Sequence, residues 1–362
     1  MVTTVWIALG ACAGPAASPA SGVDTGSPPS LAEAAAPDVF VPAAPDMAAD
    51  ASVPAAPDMA ADVGVPSPTD ASDAQADAPT LVCPTFAAGV VVGTIGVTAL
   101  AETSGLVESR RSKGVLWLHD DAGAAARLFA VGRDGVLVGT FDLVGARAED
   151  WEDIAIGPGP TAGVPYLYVG DIGDNDEKRA SVQIYRVAEP AIGSTPASQP
   201  VALDGVDRIT LVYPDGAHNA ETLLVDPLTA DVFIVTKSTK GDSRVFRAPA
   251  PLAAGAAVTM KDTGVALRFG VPPLGGDERA TAGDISVRGD KIVVRTRSSA
   301  FLWRRSEGQT VTQAMTGVPC PVPLRTEPQG EAFGFAADDS GYYTTSEGKG
   351  EPIYWFAAEP HD

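Results

Sequence analysis

Glu331-Ala-Phe-Gly-Phe335, followed after a turn by Tyr342-Tyr-Thr-Thr-Ser346 and after another by Pro352-Ile-Tyr-Trp-Phe356, is a unit that recurs along the chain. Its opening member has counterparts in Glu102-Thr-Ser-Gly-Leu106, Glu152-Asp-Ile-Ala-Ile156, Glu221-Thr-Leu-Leu-Val225 and Gly283-Asp-Ile-Ser-Val287. Its closing member has counterparts in Arg127-Leu-Phe-Ala-Val131, Gln183-Ile-Tyr-Arg-Val187, Arg244-Val-Phe-Arg-Ala248 and Ala300-Phe-Leu-Trp-Arg304. Short β-branched and aromatic runs bounded by Gly, Asp and Pro read as strands, and no window sustains a helical period. Repetition of a strand-turn-strand-turn-strand unit, with room for a fourth strand in each, suits the blades of a β-propeller. Residues 81–362 therefore read as one all-β propeller domain of five blades, with space for a sixth in 188–218 or 249–281. A β-sandwich is the structural rival.

The last unit stops after its third strand. Gly89-Val-Val-Val-Gly-Thr-Ile-Gly-Val97 is β-prone and stands just ahead of the first unit. Pairing it with the end of the chain would close the ring and remove an open sheet edge, the standing hazard of exposed strands. Cys83 and Cys320 lie near that closure. They form a staple in an oxidising compartment, or two buried thiols otherwise.

Residues 1–12, MVTTVWIALGAC, are an apolar run too short to span a bilayer. Leu9-Gly-Ala-Cys12 resembles the lipobox of bacterial lipoproteins. That resemblance implies an export signal, lipidation of Cys12, an envelope location and membrane contact through the anchor alone. Residues 13–80 are rich in Ala, Pro, Asp and Ser, and Val41-Pro-Ala-Ala-Pro-Asp-Met-Ala-Ala-Asp50 recurs at Val53–Asp62. Such a segment cannot bury enough apolar surface to offset its ordering entropy, and its prolines forbid a helix. It reads as a disordered acidic linker. The formal net charge of −21, with no Lys or Arg before Arg110, argues against a nucleic-acid partner, which needs a basic footprint.

The first strand of each propeller blade lines the central channel. Two sets of residues should then meet at one mouth. Glu102, Glu152, Glu221 and Glu331, with Asp153 and Asp284, open the first strands. His119, Asp120, Asp121, Asp171, Lys237, Arg297 and Glu347 close the second strands. Converging carboxylates repel one another unless a cation or basic side chain intervenes, and hard oxygen donors select Ca²⁺ or Mg²⁺. Asp120, Asp171, Asp174 and Glu331 are the candidate metal ligands, and calcium is the expected cofactor. The loop Asp171-Ile-Gly-Asp-Asn-Asp176 reads either as a Ca²⁺ loop or as an Asx-rich turn. His119 and Glu331 are the candidate acid–base residues. The plain alternative for the whole set is structural: caps on strand ends and ion pairs.

Gln329-Gly-Glu-Ala-Phe-Gly-Phe-Ala-Ala-Asp-Asp339, with Tyr342-Tyr-Thr-Thr-Ser-Glu-Gly348, resembles the strand pair of β-propeller phytases and phytase-like propellers. Trp151-Glu-Asp-Ile-Ala155 with Tyr166-Leu-Tyr-Val-Gly-Asp171 is similar to pairs in other bacterial propellers. The resemblance implies a channel-facing Glu331 and a calcium-facing Glu347. Two functions follow as expectations: a module binding a small-molecule or protein ligand at the mouth, or a Ca²⁺-dependent hydrolase of phosphoesters or lactones. No Gly-x-Ser-x-Gly, Cys-x-x-Cys, His-Glu-x-x-His or Gly-Lys-Ser/Thr motif is present.

Overall fold

The computed structural model describes residues 82–121, 123, 125–238, 242–275 and 279–360. The expectations for Cys12 and for 13–80 lie outside them. The chain enters through β1 (Val90–Thr94). Blade 1 follows as β2 (Thr103–Glu108), β3 (Val115–Asp120), β4 (Arg127–Gly132) and β5 (Leu137–Leu143). Blade 2 holds β6 (Trp151–Pro158), β7 (Pro165–Asp171), β8 (Val182–Ala188) and β10 (Asp207–Val212), while β9 (Val201–Leu203) between them pairs parallel with β5. Blade 3 is β11 (Ala220–Val225), β12 (Val232–Thr236), β13 (Ser243–Ala248) and β15 (Lys261–Leu267), with β14 (Ala257–Thr259) added parallel to β10. Blade 4 is β16 (Ala280–Ile285), β17 (Lys291–Thr296), β18 (Ala300–Arg304) and β19 (Cys320–Val322), the last two separated by helix α1 (Val311–Met315). Blade 5 is β20 (Gly330–Phe335), β21 (Gly341–Ser346) and β22 (Pro352–Ala357), completed by β1.

Among the described residues the sheets number five, and the inner strands β2, β6, β11, β16 and β20 abut one another in a closed ring. The stretches that left room for a sixth blade supply outer strands and parallel add-ons instead. Ring closure follows the sequence expectation: β1 runs antiparallel to β22, with Val90 opposite Trp355. Cys83 and Cys320 are disulfide-bonded across 237 residues, tying the segment before β1 to the outer strand of blade 4.

The core lies between blades rather than within them. Trp117 and Leu128 of blade 1 pack on Ile154 and Leu167 of blade 2, Tyr168 and Ile184 on Leu223 and Phe246, and Phe233 and Val245 on Ile292 and Trp303. Leu302 and Val293 meet Phe333 and Phe356, and Tyr343 and Ile353 return to Leu106 and Leu118. The repeated third-strand residues Phe129, Tyr185, Phe246 and Leu302 fill these seams, with Tyr354 packed at one edge. Each fully buried aliphatic or aromatic side chain contributes about 1.5–3 kcal/mol of transfer free energy. Every residue of β2, β11, β16 and β20 is buried.

Candidate functional site

All five inner strands carry a β-bulge at the same place. Pairing slips between Thr103 and Gly105, Trp151 and Asp153, Ala220 and Thr222, Ala280 and Ala282, and Gly330 and Ala332. The extra residues are Ser104, Glu152, Glu221, Thr281 and Glu331. A bulge leaves its residue out of the ladder and re-aims its side chain, so five equivalent side chains ring one end of the channel. In this register Glu102 is not an equivalent of the other three glutamates. It precedes β2 and is exposed, and Ser104 takes its place. Asp284 likewise lies beyond the ring, with Thr281 at the bulge.

The second strands turn back at the same level. The residues after Asp120, Asp171, Thr236, Thr296 and Ser346 are Asp121, Ile172, Lys237, Arg297 and Glu347. Three of them, Asp121, Lys237 and Glu347, donate their backbone N–H to Glu102, Asn219 and Gln329, two residues ahead of each bulge. Lys237 is ion-paired with Glu221 within blade 3. Arg297 reaches across to blade 5, its Nε and Nη2 lying 3.2 and 3.0 Å from Glu331 Oε1.

Glu331 and Glu347 are hydrogen-bonded to each other, and Gln329 Nε2 donates to Glu347. Burial, that bond and the Glu331 charge push the Glu347 carboxyl up to about 8. Burial acts the same way on Glu331, but the bond from Glu347 and the charges of Lys237 and Arg297 hold it below the usual carboxylate range. The two carboxyls are thus pushed in opposite directions, the pattern of a pair that holds one proton between its oxygens. Beneath it, buried Arg295 donates to Glu327 at 2.7 Å and to Ala332 O at 2.9 Å, while Thr344 donates to Glu327 at 2.6 Å. A Cβ on Gly330 would fall 1.8 Å from the Arg295 guanidinium, so only glycine fits there.

Blade 2 brings a second carboxylate group. Oxygens of Asp121, Asp150 and Glu152 lie within 4.8 Å of one another. Gly173 makes room for them: its Cβ would stand 2.3 Å from both Asp150 Oδ2 and Glu152 Oε1. Burial first, then the charges of Asp121 and Asp150, drives the Glu152 carboxyl well above its usual range, with Lys237 opposing. Lys237 in turn is lowered by burial, while Glu331 and Glu152 pull it back up and Arg297 and Arg279 push it down. Side chains from blades 2, 3, 4 and 5 thus feel one another's charge. Asp150 was missed by the sequence reading; the acidic run Glu149-Asp150-Trp151-Glu152-Asp153 was the available signal.

The remaining predicted residues are taken up by packing, backbone caps and ties between blades. His119 is fully buried between blades 1 and 2, edge-on to Trp151 at 5.7 Å, with Nδ1 3.0 Å from Asp120 O. Burial lowers it to about 4, so the ring is neutral at pH 7, and it lies opposite Gly105, next to the Ser104 bulge. Asp120 accepts the backbone N–H groups of Ala101 and Glu102 at 2.9 and 2.7 Å. Asp171 does the same for Glu149 and Asp150, and pairs with Arg179 at 2.9 Å. Asp174 accepts the backbone N–H groups of Lys178 and Arg179, four and five residues on, at 3.0 and 2.7 Å. Asp153 and Asp284 are interblade ties. Asp153 accepts from Ile154 N and, in the next blade, Leu223 N; Asp284 accepts from Ile285 N and Phe335 N, all at 2.8–2.9 Å.

Fold and site together define a five-bladed propeller with a mixed, acid-rich channel mouth. No family model matches the sequence, and no curated protein does. Among solved structures the chain is similar to the PQQ-bound form of aldose sugar dehydrogenase from Streptomyces coelicolor. The two are 10% identical with a TM-score of 0.39, over 76% of this chain and 100% of that one. A likeness at that level carries no argument about cofactor or reaction.

Proposed function

We propose that the protein is an envelope-displayed binding module whose channel mouth takes a small polar ligand bearing positive charge. The observation that supports this reading is the surplus of carboxylates at one level. Glu152, Glu221, Glu331, Glu347, Asp121 and Asp150 surround Lys237 and Arg297, and several are buried deeply enough to shift their protonation. Desolvated like charges repel, and an entering cation relieves that repulsion. Lipidation of Cys12 and the 13–80 tether would hold the domain off a membrane, and the disulfide fits an oxidising, exported setting.

A second reading is favoured by the Asp121, Asp150 and Glu152 triad. Its 4.8 Å spread is about twice a Ca²⁺–oxygen distance, so one calcium ion fits all three oxygens, with other oxygen donors completing the shell. Calcium there would polarise a phosphoester or lactone oxygen, and the Glu331–Glu347 pair would handle the proton. Melting the protein with EDTA and then with excess Ca²⁺ tests the ion. A rise of several degrees that disappears in Glu152→Gln supports a mouth cation, because a ligand of the folded state stabilises it. Turnover of p-nitrophenyl phosphate, phytate or simple lactones that is lost in Glu331→Gln favours the hydrolase; stabilisation without turnover favours the binding module.

A further inference from the structure

The channel has a second end. Six residues past each bulge the inner strands run out, and the residues there are Arg110, Pro158, Pro227, Val287 and Ala337. The first four, from four different blades, line a cavity of about 620 Å³ together with Arg111, Ile156 and Val164. Its size falls within the range of small-molecule pockets, and its walls are mainly apolar.

Arg110 is the exception among the strand-end residues, and its Nη1 is buried without a hydrogen-bond partner. A buried guanidinium N–H left without a partner is costly. Glu189 accepts the Arg110 backbone N–H at 3.3 Å and not its guanidinium, and it and the neighbouring acids have other partners. Glu189 accepts from Trp117 Nε1 at 2.9 Å and from Ser109 Oγ, Glu108 accepts from Gly114 N and Ala337 N, and Asp226 pairs with Arg305 at 2.7 Å. Among the described residues neither Arg110 nor Arg111 forms an ion pair. Arg111 Nη1 donates to Glu189 O at 3.2 Å, on the rim. The charge of Arg110 is felt by Asp284 of blade 4, opposing the upward shift that burial gives that carboxyl.

We infer that this lower cavity binds a monocarboxylate with an apolar body, its head on Arg110 and Arg111 and its chain along Ile156, Pro158, Pro227 and Val287. A planar carboxylate matches the guanidinium fork. The apolar walls, Ile156, Pro158, Pro227 and Val287, favour an anion that carries a hydrophobic body over a small, strongly hydrated one such as inorganic phosphate. The formal net charge of −21 opposes an anion at long range, but salt screens that field beyond about 8 Å at physiological ionic strength. The mouth proposed above is acid-rich and would repel the same ligand, so the two ends are independent sites.

Isothermal titration of the full chain with octanoate, 1-octanol and inorganic phosphate tests the inference. Octanoate should saturate at one per chain, with octanol and phosphate each at least tenfold weaker. Arg110→Gln should weaken octanoate tenfold or more, Arg111→Gln less, and Glu331→Gln at the opposite end not at all. Octanoate that fails to saturate, octanol or phosphate that binds as well, or an Arg110→Gln protein with unchanged affinity overturns it. Should Arg110→Gln melt abnormally, Val287→Trp decides, because it fills the cavity and keeps both arginines: lost binding supports the site, and retained binding refutes it.

Discussion

At the residue scale, the buried carboxylates divide into ties and mouth groups, and their partners tell them apart. Asp153 and Asp284 each accept one N–H from their own strand and one from the neighbouring blade. Asp153→Ala would strand two buried donors and should lower unfolding free energy by about 2–4 kcal/mol, measured by urea denaturation. Burial raises Asp284 to about 7, with the Arg110 charge opposing. Between its usual value of 3.8 and about 7 the folded protein keeps a proton that the unfolded chain has released. This group's contribution to stability therefore falls as pH rises through that window. His119, lowered to about 4, works in the opposite sense: the unfolded chain takes up a proton first, so its contribution falls as pH drops from 6.5 toward 4. Melting curves from pH 4 to 7 should show a flatter decline with pH in Asp284→Asn than in the wild type, whatever the absolute loss. An unchanged slope would mean that Asp284 titrates normally.

At the element scale, ring closure and the bulges carry the fold. β1 completes blade 5, and the Cys83–Cys320 bond fastens the segment before it to blade 4. Closing a loop of 237 residues stabilises by about 5.5 kcal/mol in the chain-entropy account. Cys320→Ser should lose a substantial part of that and open the 82–97 segment to protease before the rest unfolds; simultaneous cleavage throughout would argue against the staple. The blade repeat and the closing strand were legible because period-two apolar runs and turn residues are local signals. Bulge register was not. In blade 2 a Glu marks the bulge at Glu152, but in blade 1 a Glu stands two residues early at Glu102, and the bulge itself holds Ser104. Only the cross-strand pairing of Thr103 with Asp120 and Gly105 with His119 settles which side chain faces the channel. His119 shows the same limit, since its burial depends on Trp151 from the next blade.

At the scale of the whole molecule, the ring of inner strands has two chemically opposed ends, an acid-rich mouth and an arginine-marked floor, with Asp153 and Asp284 tying the blades between them. Adding EDTA and Ca²⁺ addresses the upper end, and octanoate the lower. The claim beneath both is that separate blades place their charges around one axis. Site-resolved ¹³C titration of the glutamate carboxyls in wild type and in Lys237→Met tests it most directly. Lys237 belongs to blade 3, yet its charge favours the ionised forms of Glu152 in blade 2 and Glu331 in blade 5. Both carboxyls should therefore titrate at higher pH in Lys237→Met. Titrations of Glu152 and Glu331 that stay where they are in the wild type would contradict a shared mouth.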